Sequence, residues 1–191
     1  MRYIDLHCDT LNRIVFDGEN ILQNTYQVDL KKLLAGGCLL QTFAIYFDEQ
    51  QALQRGEDLY ALYCRFVDCF DKQVGRADGV LVRFNEVGEL GLADAGIYAL
   101  LSVESCGFAE DDRMRIYRMA DDGVKMASLT WNYENCMGYP NSTDAAVMQR
   151  GLKPFGRQAV ELFNELNIIP DISHLSFGGA RDVLAISSKP K

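Results

Sequence analysis

The chain has 191 residues, of which 48% are hydrophobic and 24% charged, a composition typical of a folded domain and unlike disordered, fibrous or membrane-spanning chains. Its formal net charge of −8 repels nucleic acid and acidic membrane surfaces, so we expect neither as a partner. No apolar stretch has the length of a signal peptide or a membrane span, which favours a cytoplasmic location.

Apolar runs of strand length alternate with helical patterns along the whole chain, which is typical of βα units and a parallel sheet. The predicted strands are residues 3–8, 39–47, 80–84 (a shorter one), 97–103, 124–129 and 168–173. The predicted helices are residues 29–35, 51–73, 112–121, 154–166 and 178–186. Residues 131–148 are rich in Asn, Gly, Pro and Ser and too long for a simple connection, so we interpret them as a functional or lid-like loop.

Potential ligands follow four of the five main predicted strands, at the end where ligands gather in parallel βα folds: His7 and Asp9, Glu104, Thr130–Asn132, and Asp171 with His174. The first are His7 and Asp9. Side chains alternate along an extended strand, so these two lie on the same side and can approach one metal ion. The alternative is that Asp9 or Thr10 caps a helix while His7 lies on the surface. The chain has only two histidines, and both fall at strand ends, which favours ligation.

Glu104 and His174 follow later strands in the same way. A carboxylate leaving an apolar strand needs a partner, and the two oxygens of Glu104 could bridge two metal ions; the alternative is a solvated loop glutamate. His174 is either a ligand or a residue that caps the next helix, with Ser173 or Ser176 as the N-cap. Asp171 could orient the imidazole of His174.

The six cysteines are scattered through apolar runs without the spacing of a disulfide scaffold or of a CxxC metal site, so we expect buried, reduced thiols. Cys8 lies between His7 and Asp9, but strand alternation points it to the opposite face, which favours a core position over ligation. The sequence contains no GxGxxG, P-loop or GxSxG motif, so nucleotide cradling and serine-triad hydrolysis have no support.

Beyond these residues, the chain resembles the membrane (renal-type) dipeptidases, metallopeptidases of the M19 type built on a (β/α)8 TIM barrel. The similarity runs through the whole chain rather than through one motif. Its early matches are Ile4-Asp5-Leu6-His7-Cys8-Asp9, Val28-Asp29-Leu30, Gly36-Gly37, Gln41-Thr42-Phe43 and Ser102-Val103-Glu104. Its later matches are residues 124–135, Gly151-Leu152-Lys153-Pro154-Phe155-Gly156-Arg157 and Asp171-Ile172-Ser173-His174-Leu175-Ser176.

The resemblance implies an α/β fold of the TIM-barrel type, with about the first five βα units in this chain, and a dipeptide substrate. It also implies two zinc ions: His7 and Asp9 match ligands of the first, His174 matches a ligand of the second, and Glu104 matches the bridge. Two cations about 3.5–4 Å apart can share a hydroxide, which attacks the peptide bond while the scissile carbonyl is polarised.

The chain departs from the family pattern in two places. Where the family usually has a histidine after its fourth strand, this chain has Trp131, which with Asn132 could contact substrate but cannot carry positive charge. The family also continues with a second histidine for the second zinc, a carboxylate-binding Arg and an acidic proton shuttle. Since a barrel usually needs roughly 250 residues, we interpret residues 1–191 as the N-terminal part of one barrel domain.

We therefore expect the isolated chain to contain no certain catalytic residue, to bind zinc weakly and to have little or no peptidase activity. The metal residues alone also permit another metal-dependent barrel hydrolase acting on a lactone, cyclic amide or phosphoester. A non-catalytic family member that binds a ligand or a partner is a further alternative. An incomplete barrel would expose strand edges, so we expect self-association into a homo-oligomer.

Overall fold

The computed structural model of the chain describes residues 2–86, 96–188 and 190. In chain order the elements are β1 (Tyr3–Asp5), α1 (Thr10–Asp17), α2 (Leu30–Gly36), β2 (Cys38–Ile45), α3 (Glu49–Gln54), α4 (Leu59–Arg76), β3 (Leu81–Arg83), β4 (Ile97–Glu104), α5 (Arg113–Asp121), β5 (Val124–Ser128), α6 (Ala145–Met148), α7 (Pro154–Leu166), β6 (Ile169–Asp171) and α8 (Phe177–Ile186). A 3-10 turn at Gly107–Ala109 follows β4. No helix in these described ranges has the length and apolar character needed to cross a bilayer.

The described residues form two compact units. Unit 1 takes its residues from Met1–Tyr46 and Ala61–Ser102, and unit 2 from Phe47–Tyr60 and Val103–Lys191. Unit 1 therefore holds β1, α1, α2, β2, β3 and most of α4 and β4. Unit 2 holds α3, α5, β5, α6, α7, β6 and α8.

The strands of unit 1 are parallel, in the order β1-β2-β4, with β3 paired to the start of β4. Strand β2 is buried along its length except at Leu39, as expected for a parallel strand covered on both faces. The ring of Phe43 on β2 packs against Phe70 on α4 with 5.9 Å between centroids. Strand β1 differs, because Tyr3 and Ile4 expose 39% and 48% of their surface.

A buried carboxylate begins α2. Asp29 is 1% exposed and accepts the backbone N–H groups of Lys32 (2.8 Å) and Asn24 (3.0 Å), while the Lys32 ammonium lies 2.7 Å away. Burial alone would raise the pKa of Asp29, but the hydrogen bonds from Lys32 and Asn24 outweigh it, and the pKa is lowered. The cap therefore holds a charge in the interior of unit 1.

Unit 2 is built around the parallel pair β5 and β6, in which Met126 lies opposite Ile169. Helix α7 begins with Pro154 at its first position, where the missing N–H has no cost, and ends at Asn167 in the left-handed conformation. Its apolar face is buried with that of α5. The core residues of these elements are Ile116, Met119, Val124, Ala159, Val160, Phe163 and Ile168.

The predicted fold class is confirmed, because parallel strands alternate with helices and all six predicted strands are present within the described residues. The single helix predicted for residues 51–73 is wrong: it is α3 and α4, separated where Gly56 adopts φ 72°. Helix α1 was not predicted. The expectation of buried thiols holds for Cys8, Cys38 and Cys106, whereas Cys64, Cys69 and Cys136 are only partly buried.

Candidate functional site

The first pair of candidate ligands lies in unit 1, just after β1. His7 Nε2 is 3.3 Å from Asp9 Oδ1, and the two side chains are 47% and 55% exposed. Asp9 occupies the N-cap position of α1, yet its side chain makes no capping hydrogen bond. The carboxylate faces the imidazole of His7, so the arrangement differs from the helix-cap alternative.

The thiol between these two residues is in the core, as the strand alternation predicts. Cys8 is 8% exposed, and its carbonyl accepts the N–H of Ala44 on β2 at 3.0 Å. Burial raises the pKa of the Cys8 thiol to about 12. Its burial makes Cys8 a packing residue of unit 1.

The second pair lies in unit 2. Glu104 is the last residue of β4 and His174 follows β6, with His174 Nε2 3.0 Å from Glu104 Oε1. The Glu104 side chain is only 13% exposed, so it is not a solvated loop glutamate. Ser176 is the N-cap of α8 and accepts the Gly179 N–H at 3.0 Å, so the imidazole of His174 is not the cap.

The backbone of His174 is held in an unusual conformation. Its φ is 65°, in the left-handed region that only a small fraction of residues other than Gly adopt. Its carbonyl accepts the N–H of Asn141 at 2.7 Å and the hydroxyl of Thr130 at 3.4 Å. The carboxylate of Asp171 accepts the Ser173 N–H at 2.9 Å and so stabilises the turn that leads to His174.

The two candidate substrate-binding residues differ in their surroundings. The Trp131 ring lies beside the imidazole of His174, with 6.4 Å between centroids, and packs edge-on against Tyr133 at 5.6 Å. Trp131 therefore lines the site next to His174. Asn132 is instead exposed to solvent.

The loop predicted as functional or lid-like is fixed against two helices of unit 2. A Cβ atom at Gly156 on α7 would overlap the carbonyl oxygen of Met137, and one at Gly178 on α8 would overlap the backbone of Gln149 and Arg150. Lys153 donates from its ammonium to the Asn135 carbonyl at 2.7 Å. On the α7 side the predicted loop therefore forms a closely packed wall of unit 2, and the contact with α8 is made by the two residues that follow it.

A buried carboxylate beside the end of β4 was missed by the sequence reasoning. Glu49, the first residue of α3, is 8% exposed and accepts the hydroxyl of Ser105 at 2.6 Å and the N–H of Gly107 at 3.0 Å. Burial raises the pKa of Glu49, and these two hydrogen bonds offset part of the increase. The available signal was Asp48, an N-cap residue followed by acidic Glu49, which places the helix start two residues before the predicted one.

Both pairs suit a metal ion. Zinc in tetrahedral coordination, with bonds of about 2.0–2.1 Å, keeps two donor atoms about 3.3 Å apart. The donor atoms are 3.3 Å apart in the His7–Asp9 pair and 3.0 Å apart in the Glu104–His174 pair. Imidazole nitrogen and carboxylate oxygen are also the donors of many catalytic zinc sites. The residues present therefore fit the group that the resemblance implies.

Three solved structures share this fold. The dipeptidase AC, a metallo peptidase of family M19, is 21% identical, with a TM-score of 0.83, and the match covers 100% of this chain and 61% of that one. A metallo peptidase from Rhodobacter sphaeroides, solved with a phosphinate mimic of the dipeptide L-Ala-D-Ala, is 20% identical, with a TM-score of 0.84 and coverage of 100% and 63%. The probable dipeptidase PvdM from Pseudomonas aeruginosa is 19% identical, with a TM-score of 0.81 and coverage of 98% and 50%.

The chain spans 50–63% of the length of these three proteins. At such identities the likeness establishes the fold, and the TIM-barrel class expected from the sequence agrees with it. The family model for membrane dipeptidases matches residues 1–191. This chain therefore belongs to the membrane dipeptidase family, peptidase family M19.

Proposed function

We propose that this chain supplies the metal-binding residues of a metallo-dipeptidase, which hydrolyses dipeptides to free amino acids. The observation that carries the proposal is the presence of two histidine–carboxylate pairs, each with its donor atoms 3.0–3.3 Å apart, at the carboxyl ends of strands in an M19 chain. His7 and Asp9 form one pair, and Glu104 and His174 form the other. All four are proposed as metal ligands.

The proposed metal is zinc, as two ions, with Glu104 as the bridging carboxylate. The proposed donors are imidazole nitrogen and carboxylate oxygen, and the neighbouring Cys8 is buried in the core. Oε1 of Glu104 lies 3.0 Å from His174 Nε2, and a carboxylate can bridge two ions through its two oxygens. When bound, zinc would polarise the scissile carbonyl and lower the pKa of the attacking water.

The chain's own residues hold and shape the site. The carbonyl of His174 is held by Asn141 and Thr130, so the backbone that carries the imidazole is fixed in place. The Trp131 ring next to that imidazole excludes water from one side and offers a single indole N–H donor. The exposed amide of Asn132 can hydrogen-bond to a peptide group of the substrate.

We also propose that the protein works in the cytoplasm and forms a homo-oligomer. Self-association is supported by the exposed apolar side chains of the β1 segment, Tyr3, Ile4 and Leu6, because exposed edge strands pair readily with other strands. Light scattering of dilute samples measures it, and a monomer at all concentrations would contradict it.

Calorimetric titration of the metal-free 191-residue chain with zinc tests the ligand assignment. We expect two zinc ions per chain, bound weakly. His7→Ala and His174→Ala should each weaken binding by more than about 100-fold, because losing a ligand exceeds the loss seen for an outer-shell partner. Glu161→Gln, which changes an exposed carboxylate on α7, is the matched control and should bind as the unmodified chain does. Zinc affinity that is unchanged in both histidine variants would overturn the proposal.

A substrate panel tests the reaction. The dipeptide L-Ala-D-Ala, whose phosphinate mimic is bound in the Rhodobacter sphaeroides structure, is compared with a lactone and a phosphoester. Residues 1–191 alone should hydrolyse the dipeptide slowly or not at all, because the family's substrate-carboxylate Arg and proton shuttle match no residue among them. Lactone or phosphoester hydrolysis by the zinc-loaded chain, without dipeptide hydrolysis, would favour the other barrel hydrolases.

A further inference from the structure

The carboxylate of Glu49 lies in a buried position, where an apolar side chain would have a smaller desolvation cost. Its neighbours in the 105–109 turn include Cys106 and Phe108, both fully buried, and Glu49 itself is 8% exposed. Burying a carboxylate has a large desolvation cost, which two hydrogen bonds from Ser105 and Gly107 offset only in part. A buried polar group that is retained at such a cost commonly fixes one arrangement of the chain around it.

The arrangement that Glu49 fixes is the exit of β4. Ser105 follows Glu104 directly and has φ 80°, a left-handed value that is strained for a serine. Its hydroxyl donates to Glu49 Oε1 at 2.6 Å and accepts from Asn135 Nδ2 at 3.2 Å, while its N–H donates to the hydroxyl of Ser128 at 3.2 Å. Both the hydroxyl and the N–H of Ser105 are thus hydrogen-bonded to other parts of unit 2.

The contact between Gly107 and the Glu49 carboxylate is too close to admit a side chain at residue 107. A Cβ atom at Gly107 would overlap the Glu49 carboxylate, so the turn can approach Glu49 only because residue 107 is glycine. The Gly107 N–H then donates to Glu49 Oε1 at 3.0 Å. Glu49 therefore binds Ser105 and Gly107 at the same time. Because Ser105 follows Glu104 directly, holding Ser105 also constrains the direction in which the chain leaves β4 at Glu104.

We propose that Glu49 is a positioning residue: through Ser105 and Gly107 it orients Glu104 toward His174 and prepares this pair to bind metal. This inference rests on the proposed function, because it takes Glu104 and His174 as metal ligands. It assigns Glu49 no contact with metal or substrate. Its effect is the 3.0 Å approach of Glu104 Oε1 to His174 Nε2, which needs the strained turn at Ser105.

The test uses the full 191-residue chain, loaded with zinc for affinity and with cobalt for its visible absorption spectrum, which reports ligand geometry independently of activity. Glu49→Ala should weaken zinc binding by roughly tenfold, the lower end for the loss of an outer-shell partner, and should shift the cobalt spectrum. Glu49→Gln keeps an oxygen that can accept from Ser105 and Gly107, so it should stay within about threefold of the unmodified chain.

Ala52→Gly is the matched control, because it weakens α3 at a buried position without touching Ser105 or Gly107. It should leave zinc affinity and the cobalt spectrum unchanged. If Glu49→Ala does not fold, Ser105→Gly takes its place: it removes the linking hydroxyl and relieves the left-handed strain, so it should fold and still bind zinc less tightly.

The outcomes separate the two proposals. If the unmodified chain takes up no metal, the proposed function fails. If it binds zinc, and Glu49→Ala or Ser105→Gly binds equally tightly with the same cobalt spectrum, the positioning role is wrong and Glu49 serves stability alone. A loss of affinity in Ala52→Gly that matches the loss in Glu49→Ala would also overturn the positioning role.

Discussion

The two candidate ligand pairs have the same chemistry but are held in different ways. In unit 1, His7 and Asp9 are about half exposed and follow a strand of three residues. In unit 2, the Glu104 side chain is 13% exposed and ends a strand of eight residues. The donor atoms are nevertheless 3.3 and 3.0 Å apart, so an exposed pair in unit 1 and a pair with a largely buried carboxylate in unit 2 reach nearly the same spacing.

The difference lies in the backbone next to each ligand. Ser105 and His174 in unit 2 adopt left-handed φ values of 80° and 65°, and their polar groups are bonded to Glu49, Ser128, Asn135 and Asn141. Near His7, the support includes its own N–H to Asp5 Oδ1 at 3.3 Å and the bond from Ala44 to the Cys8 carbonyl. Strain at a ligand is sustained only where the surrounding structure fixes it, which is the situation in unit 2.

The largest expected effect comes from Gly156→Ala, which disrupts the packing of α7 against the loop around Met137 in unit 2. The added methyl group would overlap the Met137 carbonyl oxygen, so α7 and the loop before it must separate. We expect a loss of about 3 kcal/mol in the free energy of unfolding, measured in urea. Trp131, the one tryptophan of the chain, should report the displaced loop through its fluorescence.

The matched change is Gly75→Ala in α4, where a Cβ atom meets nothing within 4 Å. Alanine favours a helix over glycine, so this variant should be as stable as the unmodified chain or more stable by up to about 1 kcal/mol. Equal stability of the two variants would mean that the close packing of the loop on α7 does not stabilise unit 2.

The second prediction concerns a buried charge that stabilises unit 1, the carboxylate of Asp29. Asp29→Asn removes the buried charge beside Lys32 and should lower the free energy of unfolding by about 1–2 kcal/mol at pH 7. The folded-state pKa of Asp29 is lowered from 3.8, so its contribution is present above that value and is lost as the pH falls through the folded-state pKa. The difference between variant and unmodified chain should thus shrink below about pH 4 in urea titrations. A difference that is the same at pH 3 and pH 7 would contradict it.

The smallest predicted effect compares the two histidines directly, in a chelating buffer. Glycine adopts φ 65° without strain, so His174→Gly should be more stable than His174→Ala by about 1 kcal/mol. His7→Ala should lie within about 0.5 kcal/mol of the unmodified chain, because an exposed ion pair contributes little. If His174→Gly is no more stable than His174→Ala, then the backbone of His174 is not strained and does not distinguish unit 2 from unit 1.

Much of the fold could be predicted from local signals. Helix α7 begins and ends at the predicted residues because Pro154 marks its start and an apolar face runs through it. The helix predicted for residues 51–73 was wrong because a single glycine such as Gly56, which adopts φ 72°, is a weak sequence signal for a helix end. Strand β1 is shorter than predicted: its continuous pairing with β2 ends at Asp5, and the next backbone bond to β2 is the one that the Cys8 carbonyl accepts from Ala44.

The candidate ligands could be proposed from the sequence because they follow apolar strands, and the structure places them in two pairs with donor atoms 3.3 and 3.0 Å apart. Their support could not be found. The left-handed backbone at Ser105 and His174 depends on hydrogen bonds from residues 23 to 56 positions away, and neither residue type indicates it. Glu49 likewise looks like any acidic residue at a helix start, because its burial is decided by Ser105 and Gly107.

The buried Cys8 thiol has a consequence for how such a site withstands oxidation. Peroxides and alkylating agents attack the thiolate, and a thiol with a pKa of about 12 is almost entirely protonated at neutral pH. A sulfur atom therefore lies between two exposed candidate ligands without making that segment chemically reactive. The core gains a small apolar side chain at this position, and oxidants that reach His7 and Asp9 find no nucleophile beside them.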